Sequence, residues 1–443
     1  MKVGFVSLGC SKNLVDTEMA IGLFKNNNFE IVNDVEKAEI IVINTCGFIE
    51  SAKQEAIDTI LEMTEYKETG KCKYLIVMGC LVQRYKDELE KAIPEVDLFI
   101  TIDEYSNFWN KIEKLVGIDA HIDLLNNCSE LDYMDRVIST GNKTAYLKIA
   151  EGCSNKCTYC AIPYIRGPYV SRPIKDILKE AEMLSKKGIE ELIVIAQDTT
   201  RYGEDLYGES KLSELLNELC KIDGFKWIRF LYAYPESITD ELIETVINND
   251  KICKYFDIPI QHISDSVLKR MNRRTTGQKI EDLILRIKSK IPNVILRTSL
   301  IVGFPGETEE DFEKLYNFVE KGYFGKLGVF MYSKEDGTPA ARLKEQIHHS
   351  TKKKRYNKIM SIAKDISNKN LKSHIGNTYD VLIENVTFDN KYYIGRSYMD
   401  IPETDGTVII KNTKNNLIGE FVKCKITDVN NYDLVGEIQK IEQ

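Results

Sequence analysis

Short apolar segments alternate with helical segments along the first 116 residues, and this pattern restricts the fold more than any other feature of the chain. Strands are predicted at residues 3–8, 40–44, 74–78 and, more weakly, 98–102. Helices are predicted between them, at residues 14–26, 48–65 and 83–93. Continuous apolar strands separated by helices are typical of a parallel sheet covered on both faces. The first domain, residues 1–116, is therefore predicted to be a doubly wound α/β sheet.

A second series of strands and helices follows a polar, irregular linker at residues 117–138. Its six candidate strands occupy residues 145–150, 191–196, 227–231, 255–260, 294–301 and 327–332. Six strand–helix units favour a partial (β/α)6 barrel, because a complete barrel has eight. This second domain is predicted to span residues 139–374. It ends in a basic helical segment, residues 342–374, which is either a solvated helix face or, as a less favoured alternative, a phosphate-contacting helix.

The last segment, residues 375–443, has a third character. Short alternating strands are predicted at residues 379–383, 392–397, 406–410, 421–429 and 434–439. Five short strands in so few residues predict a small antiparallel β-barrel, an architecture often used to bind oligonucleotides. Residues 376–443 carry seven basic and eleven acidic side chains, a net charge of −4. An acidic barrel favours a basic protein over RNA as its partner.

The composition is that of a folded, soluble protein, with 43% hydrophobic and 29% charged residues. No apolar run reaches the ~18–20 residues of a membrane helix, and the N-terminal apolar stretch is too short for a secretory signal. We therefore expect a cytoplasmic location and no membrane association. Disulfides are rare in that compartment, so the 11 cysteines indicate metal or redox chemistry. The net charge of −8 argues weakly against binding nucleic acid through the overall field.

Three cysteines form the one tight cluster of the sequence: Cys153, Cys157 and Cys160, with the spacing C-x-x-x-C-x-x-C. Half of a zinc site is one interpretation, but the sequence offers no second ligand pair of similar spacing. A thioredoxin-like pair leaves the third cysteine unexplained. Three thiolates on one short loop suit three irons of a cubane cluster, whose fourth iron is then open to a substrate or cofactor.

Three single cysteines follow three predicted strands of the first domain: Cys10, Cys46 and Cys80. Loops at the carboxyl ends of parallel strands share one edge of the sheet, so these cysteines are expected to converge. A single cysteine there would be a small buried residue. Three at equivalent positions, each next to a glycine, favour a second cluster site. No role is expected for the other five cysteines: Cys72, Cys128, Cys220, Cys253 and Cys424.

Local motifs over essentially the whole chain resemble a known family. The C-x-x-x-C-x-x-C loop after a strand of a partial barrel resembles the signature of radical S-adenosylmethionine (SAM) enzymes. With a cysteine-bearing α/β domain before it and a small barrel of the TRAM type after it, the chain resembles a radical SAM methylthiotransferase. Segments that resemble the RimO-like branch are SLGCSKNLVDTE (7–18), NTCGFIESAKQEA (44–56), AQDTTRYG (196–203), IVGFPGETEEDF (301–312) and GRSYMDIPETDG (395–406).

The resemblance implies that Cys153, Cys157 and Cys160 hold a [4Fe–4S] cluster that binds SAM. It also implies that Cys10, Cys46 and Cys80 hold a second [4Fe–4S] cluster. Further cofactor contacts are implied for Tyr159, Gln197, Asp198, Gln261, Arg297 and Gly303. For each of these six an ordinary structural role is the alternative: a loop aromatic, a structural hydrogen bond or a tight turn.

The implied reaction adds a methylthio group to the β-carbon of an aspartate in ribosomal protein S twelve, free or in the small subunit, with two SAM molecules. A reductant such as flavodoxin or ferredoxin and a sulfur donor are implied partners. The alternative is a MiaB-type enzyme that modifies a tRNA adenosine, and tRNA is the less favoured substrate because the C-terminal barrel is acidic. A third hypothesis is an electron-transfer protein with two clusters. It is the weakest, because a chain of 443 residues is far longer than that role requires.

Overall fold

A computed structural model gives the fold of residues 1–117, 131–141, 143–413 and 416–439. Cys128 and most of the predicted linker lie outside the described residues. None of the helices in the described ranges is both long and apolar enough to span a membrane.

The N-terminal domain is built on a five-stranded parallel sheet. Its strands are β1 (Lys2–Ser7), β2 (Glu30–Val32), β3 (Ile40–Thr45), β4 (Tyr74–Gly79) and β5 (Leu98–Ile100). Its helices are α1 (Ser11–Asn26), α2 (Glu50–Thr64), α3 (Tyr66–Thr69), α4 (Cys80–Ala92) and α5 (Phe108–Val116). The strand order is β2-β1-β3-β4-β5, and apolar cores lie on both faces of the sheet. The predicted doubly wound sheet is confirmed, with the short edge strand β2 as an unpredicted addition.

The central domain is a partial barrel of six parallel strands: β6 (Thr144–Lys148), β9 (Glu191–Ile195), β10 (Trp227–Phe230), β11 (Tyr255–Asp257), β12 (Ile295–Val302) and β13 (Lys326–Met331). Two three-stranded sheets, β6-β9-β10 and β11-β12-β13, meet at a bridge between Ile228 and Ile252 and at a hydrogen bond from the Ala233 amide to the Asp257 carbonyl at 2.8 Å. The predicted (β/α)6 architecture is confirmed. A short antiparallel pair, β7 (Ala150–Glu151) and β8 (Val170–Ser171), brackets the cysteine loop and brings its two ends together.

The described residues of the central domain form nine α-helices, of which the longer ones pack against the barrel strands in one apolar core. They are α6 (Ile162–Ile165), α7 (Ile174–Lys186), α8 (Glu204–Tyr207), α9 (Leu212–Lys221), α10 (Asp240–Asn248), α11 (Asp265–Arg270), α12 (Gly277–Lys290), α13 (Glu309–Glu320) and α14 (His349–Lys372). The basic segment predicted at residues 342–374 forms α14, whose buried Ile359 joins the core between helices and strands.

The C-terminal domain is a closed five-stranded barrel of β14 (Thr378–Val386), β15 (Tyr392–Ser397), β16 (Val408–Lys411), β17 (Phe421–Asn430) and β18 (Asp433–Ile438). All five predicted strands are present, and the TRAM-like barrel is confirmed. One pairing differs from the antiparallel prediction, because β16 and β18 run parallel.

The inner face of the partial barrel is filled from the other two domains. Side chains on the inner face of β6 and β9 pack with Val15 and Met19 of α1, and with Ile401 from the loop after β15. That loop, residues 397–405, lies against the starts of the barrel strands, where Lys326 pairs with Asp400 at 2.5 Å and the Tyr255 hydroxyl donates to Asp405 at 2.7 Å. The conspicuous 395–406 motif therefore closes the end of the barrel that is opposite the cysteine loop.

We expect Ile401→Ala to lower the free energy of unfolding by about 2–4 kcal/mol, because it leaves a cavity where the C-terminal and central domains meet. Chemical denaturation measures this loss. Ile418→Ala is the matched control in the same domain, since that side chain is 45% exposed and its truncation should cost under about 0.5 kcal/mol. Equal losses in the two variants would contradict the assigned packing.

Candidate functional site

The three N-terminal cysteines converge at one edge of the first sheet. Cys10 caps the start of α1, Cys46 directly follows β3, and Cys80 is the first residue of α4. Their strands β1, β3 and β4 are neighbours, so the three loops stand side by side. The loops are close enough that a Cβ added to Gly9 would lie 3.0 Å from the sulfur of Cys46. The predicted convergence is thus present in the structure.

The three thiols differ in exposure. Cys10 is exposed, while Cys46 and Cys80 are buried. Burial raises the pKa of the Cys80 thiol to about 12, against the opposing effect of the Arg166 guanidinium. Burial also raises the pKa of Cys46. The thiols of Cys10 and Cys46 lie close enough to raise the pKa of Cys80 further.

Two buried asparagines hold these loops together. The Asn13 amide donates to the carbonyls of Leu8 at 3.1 Å and Thr45 at 3.0 Å, and so ties the loop before Cys10 to the loop before Cys46. The Asn44 amide donates to the Asn13 carbonyl at 2.8 Å. These side-chain hydrogen bonds to backbone carbonyls connect the loops that carry Cys10 and Cys46.

The central cysteines lie on the loop between β7 and α6. The Cys153 amide donates to the Gly167 carbonyl at 3.1 Å, and the Cys160 amide donates to the Cys157 carbonyl at 3.1 Å. Burial raises the pKa of Cys153 to about 11. The Tyr234 hydroxyl lies 3.2 Å from the Cys157 sulfur. This loop follows the first barrel strands, at the carboxyl-end face where folds of this type carry their chemistry.

Each of the two triads offers three cysteine thiols as ligands. In the described parts of the chain, no three His, Cys, Asp or Glu side chains stand close enough together to bind one ion. A cubane cluster does not need three side chains that meet at one metal ion, because each thiolate binds a different iron. Each triad supplies three soft sulfur donors, the ligand type that iron–sulfur clusters use.

Charged side chains that sequence reasoning missed connect the two triads. Arg166, which ends α6, pairs with Asp16 of α1 at 2.8 Å and with Glu151 of β7 at 3.0 Å. Lys148 pairs with the same two carboxylates, at 2.5 Å and 2.8 Å. The only sequence signal for this network is the position of Lys148 and Glu151 on either side of an apolar strand end, next to the cysteine loop.

Gln197 and Asp198 lie beside the central triad, at the end of β9. The Gln197 amide donates to Glu151 at 3.2 Å, and its side-chain oxygen is buried with no partner in the described structure. An orphaned acceptor there suits a donor group such as the ammonium of an amino acid. The Asp198 carboxylate accepts hydrogen bonds from Asn155 at 2.7 Å and Thr200 at 2.5 Å, so it also holds the cysteine loop.

The other four predicted contacts occupy different places. Tyr159 packs against the apolar cluster that includes Phe304 and Tyr332, with its hydroxyl next to Cys157, and Gly303 has a φ of 71° in the turn after β12. Gln261 has a φ of 67° and bridges to β12 through its backbone. Arg297 lies near the start of β12 and pairs with Asp257 at 2.8 Å. Their cofactor contacts stay predictions.

Three family profiles match successive parts of the chain. Residues 2–101 match "Uncharacterized protein family UPF0004", residues 147–319 match the "Radical SAM superfamily", and residues 375–438 match the "TRAM domain". A relative from Alkaliphilus oremlandii, named "Ribosomal protein uS12 methylthiotransferase RimO", is 65% identical over 99% of both chains. A relative of the same name from Clostridioides difficile is 50% identical, again over 99% of both chains.

Solved structures share the fold at low identity. The radical SAM methyltransferase TsrM from Kitasatospora setae, with cobalamin and a [4Fe–4S] cluster bound, aligns with a TM-score of 0.56 at 13% identity. The alignment covers 76% of this chain and 73% of TsrM. The cobalamin-dependent radical SAM enzyme OxsB aligns with a TM-score of 0.52 at 14% identity, over 83% of this chain and 56% of OxsB.

In protein freed of metal, we expect iodoacetamide to alkylate Cys10 at least about 10-fold faster than Cys80 at pH 8. The reason is that Cys10 is exposed, whereas Cys80 is buried with a pKa of about 12 and carries little thiolate. Peptide mass spectrometry over time measures both rates. Buried Cys424 in the C-terminal barrel provides an internal slow standard. If Cys80 reacted as fast as Cys10, the assigned burial of this thiol would be wrong.

Proposed function

The chain belongs to the RimO-type family of radical SAM methylthiotransferases, and we propose that it adds a methylthio group to the β-carbon of an aspartate in ribosomal protein uS12. The proposed enzyme uses two [4Fe–4S] clusters and two SAM molecules. Cys153, Cys157 and Cys160 would hold the cluster that binds SAM. Cys10, Cys46 and Cys80 would hold the second cluster.

One observation carries the two-cluster proposal: the two cysteine triads border the same domain interface. Cys80 shares a small apolar cluster with Ala161 and Ile165, which directly follow the cysteine loop of the central domain. The first triad lies at the carboxyl edge of its sheet, and the second lies on a loop at the carboxyl face of the partial barrel. A substrate bound between the two domains would therefore have access to both sites.

The bound cluster and SAM supply one-electron cleavage of the sulfonium and removal of a hydrogen atom from an unactivated carbon. The protein's own residues bind and orient. The orphaned Gln197 oxygen offers an acceptor for the cofactor's ammonium group. The Asn155–Asp198 hydrogen bond fixes the loop that carries the triad. Burial of Cys153 and Cys157 limits contact of this site with water.

The proposed substrate rests on the names of the relatives and on charge. Both relatives described above are named for ribosomal protein uS12. Ribosomal proteins are basic, and the C-terminal barrel is acidic. Asp400 and Ile401 of the loop after β15 are buried against the central domain, so uS12 would meet the outer surface of this barrel, where Phe388 and Tyr392 are exposed. A reductant such as flavodoxin or ferredoxin and a sulfur donor complete the proposed system.

Anaerobic reconstitution should give about eight irons per chain, four for each cluster. We expect Cys46→Ala to retain about four, because it removes a ligand of the N-terminal site only. Iron analysis and visible absorption measure the content. Cys72→Ala is the matched control, since it removes another buried cysteine of the same domain that lies outside the triad. Four irons in the unmodified chain, with no change in Cys46→Ala, would refute the second cluster.

Deletion of the gene should remove the methylthio group from uS12 and leave the methylthio groups of tRNA adenosines in place. Mass spectrometry of uS12 and of total tRNA nucleosides measures both. Reintroduction of the gene should restore the modification, and reintroduction of the Cys46→Ala variant should not. Loss of a tRNA methylthioadenosine with an unchanged uS12 would instead establish the MiaB-type alternative.

A further inference from the structure

Arg166 belongs to the central domain by sequence, yet its guanidinium reaches into the N-terminal cysteine site. It follows the central cysteine loop and helix α6, six residues after Cys160. Its Nη2 atom lies 3.6 Å from the sulfur of Cys80 and donates to the Asn13 side-chain oxygen at 2.5 Å. Asn13 is the residue that ties the Cys10 and Cys46 loops together. One side chain of the central domain therefore touches both a thiol and the support of the N-terminal triad.

The surroundings make this guanidinium electrostatically important. The Arg166 side chain is 2% exposed, and the Asp16 side chain beside it is 1% exposed. Asp16 and Glu151 together balance the charges of Arg166 and Lys148. A thiolate at Cys80 is a further buried anion, and the nearest positive group that contacts it is Arg166. Buried charges are tolerated only when they are paired and hydrogen-bonded.

We propose that Arg166 is a positioning residue of the N-terminal cluster, contributed across the domain interface to stabilise and orient the Cys80 thiolate. This inference rests on the proposed second cluster. The N-terminal site is then complete only when the central domain is docked. The same side chain also contacts Glu151, which binds Gln197 of the proposed SAM site, so both sites are held by one hydrogen-bonded chain.

Removal of the guanidinium has a defined electrostatic consequence. A positive charge next to a cluster ligand stabilises the reduced, more negative state of the cluster. Arg166→Met keeps the apolar part of the side chain but lacks the guanidinium and its charge, so the midpoint potential should become more negative. Arg166→Lys keeps the charge and should shift the potential less. Lys148 still pairs with Asp16 and Glu151 in both variants, but Arg166→Met removes one of the two cations that balance these carboxylates, so a thermal melt checks that the variant stays folded.

The full-length chain with Cys153, Cys157 and Cys160 all replaced by alanine isolates the N-terminal cluster. A redox titration followed by electron paramagnetic resonance should show a more negative midpoint potential after Arg166→Met. Chelator challenge should release iron from this site about 10- to 100-fold faster than from the parent, the usual effect of losing an outer-sphere partner. Arg229→Met is the matched control, because Arg229 is also a buried arginine and lies at the far end of the barrel. Its partner Glu191 still forms an ion pair with Arg396 in this variant.

The outcomes separate this inference from the proposed function. Iron in the triple-alanine background, with a potential and release rate that Arg166→Met does not change, would overturn the role of Arg166 alone. Equal shifts in Arg166→Met and Arg229→Met would also overturn it, since the effect would then be general. Absence of iron in the triple-alanine background would overturn the second cluster and this inference together.

Discussion

The arrangement of the molecule depends on buried ion pairs whose two members come from different domains. Asp16 on α1 needs Arg166 and Lys148 of the central domain, because a carboxylate that is 1% exposed is costly without cations. Elsewhere in the interface, the Glu335 carboxylate of the central domain forms an ion pair of 2.8 Å with Arg84 of the N-terminal domain. Two such points fix the relative orientation of the domains. The cysteine loops of both domains consequently face one interface.

Burial of ions does not by itself explain a stable interface, since desolvation offsets much of their attraction. Apolar packing supplies the remainder. Val15 and Met19 of α1 fill the inner face of the partial barrel, and Ile401 closes it from the C-terminal domain. The apolar surfaces stabilise the association of the domains, and the ion pairs select the orientation in which every buried charge has a partner. The charged residues beside the cysteine sites therefore determine how the domains are oriented.

The strands and the positions of the six cysteines in the fold were predictable from the sequence, because each follows from a local pattern. Apolar runs mark strands, and a cysteine after each of three parallel strands must lie at one sheet edge. The network around Arg166 was not predictable in this way. A charged residue in a sequence normally indicates a solvent-exposed position. Only the contact between Asp16 and Arg166, which are 150 positions apart, shows that both side chains are buried. Ile401, within the 395–406 segment, packs against the central domain, and no local pattern in that segment predicts this contact.

The position of Arg166 follows from the same geometry that brings the triads together. It ends a four-residue helix that begins directly after the central cysteine loop, so any shift of that loop moves the guanidinium. Its partners Asn13 and Asp16 lie in the first turns of α1, directly after Cys10. A few hydrogen bonds and ion pairs therefore connect the two triads. The proposed action of both sites on one substrate carbon would need a rigid connection of this kind, since small misplacement of reacting groups costs large factors in rate.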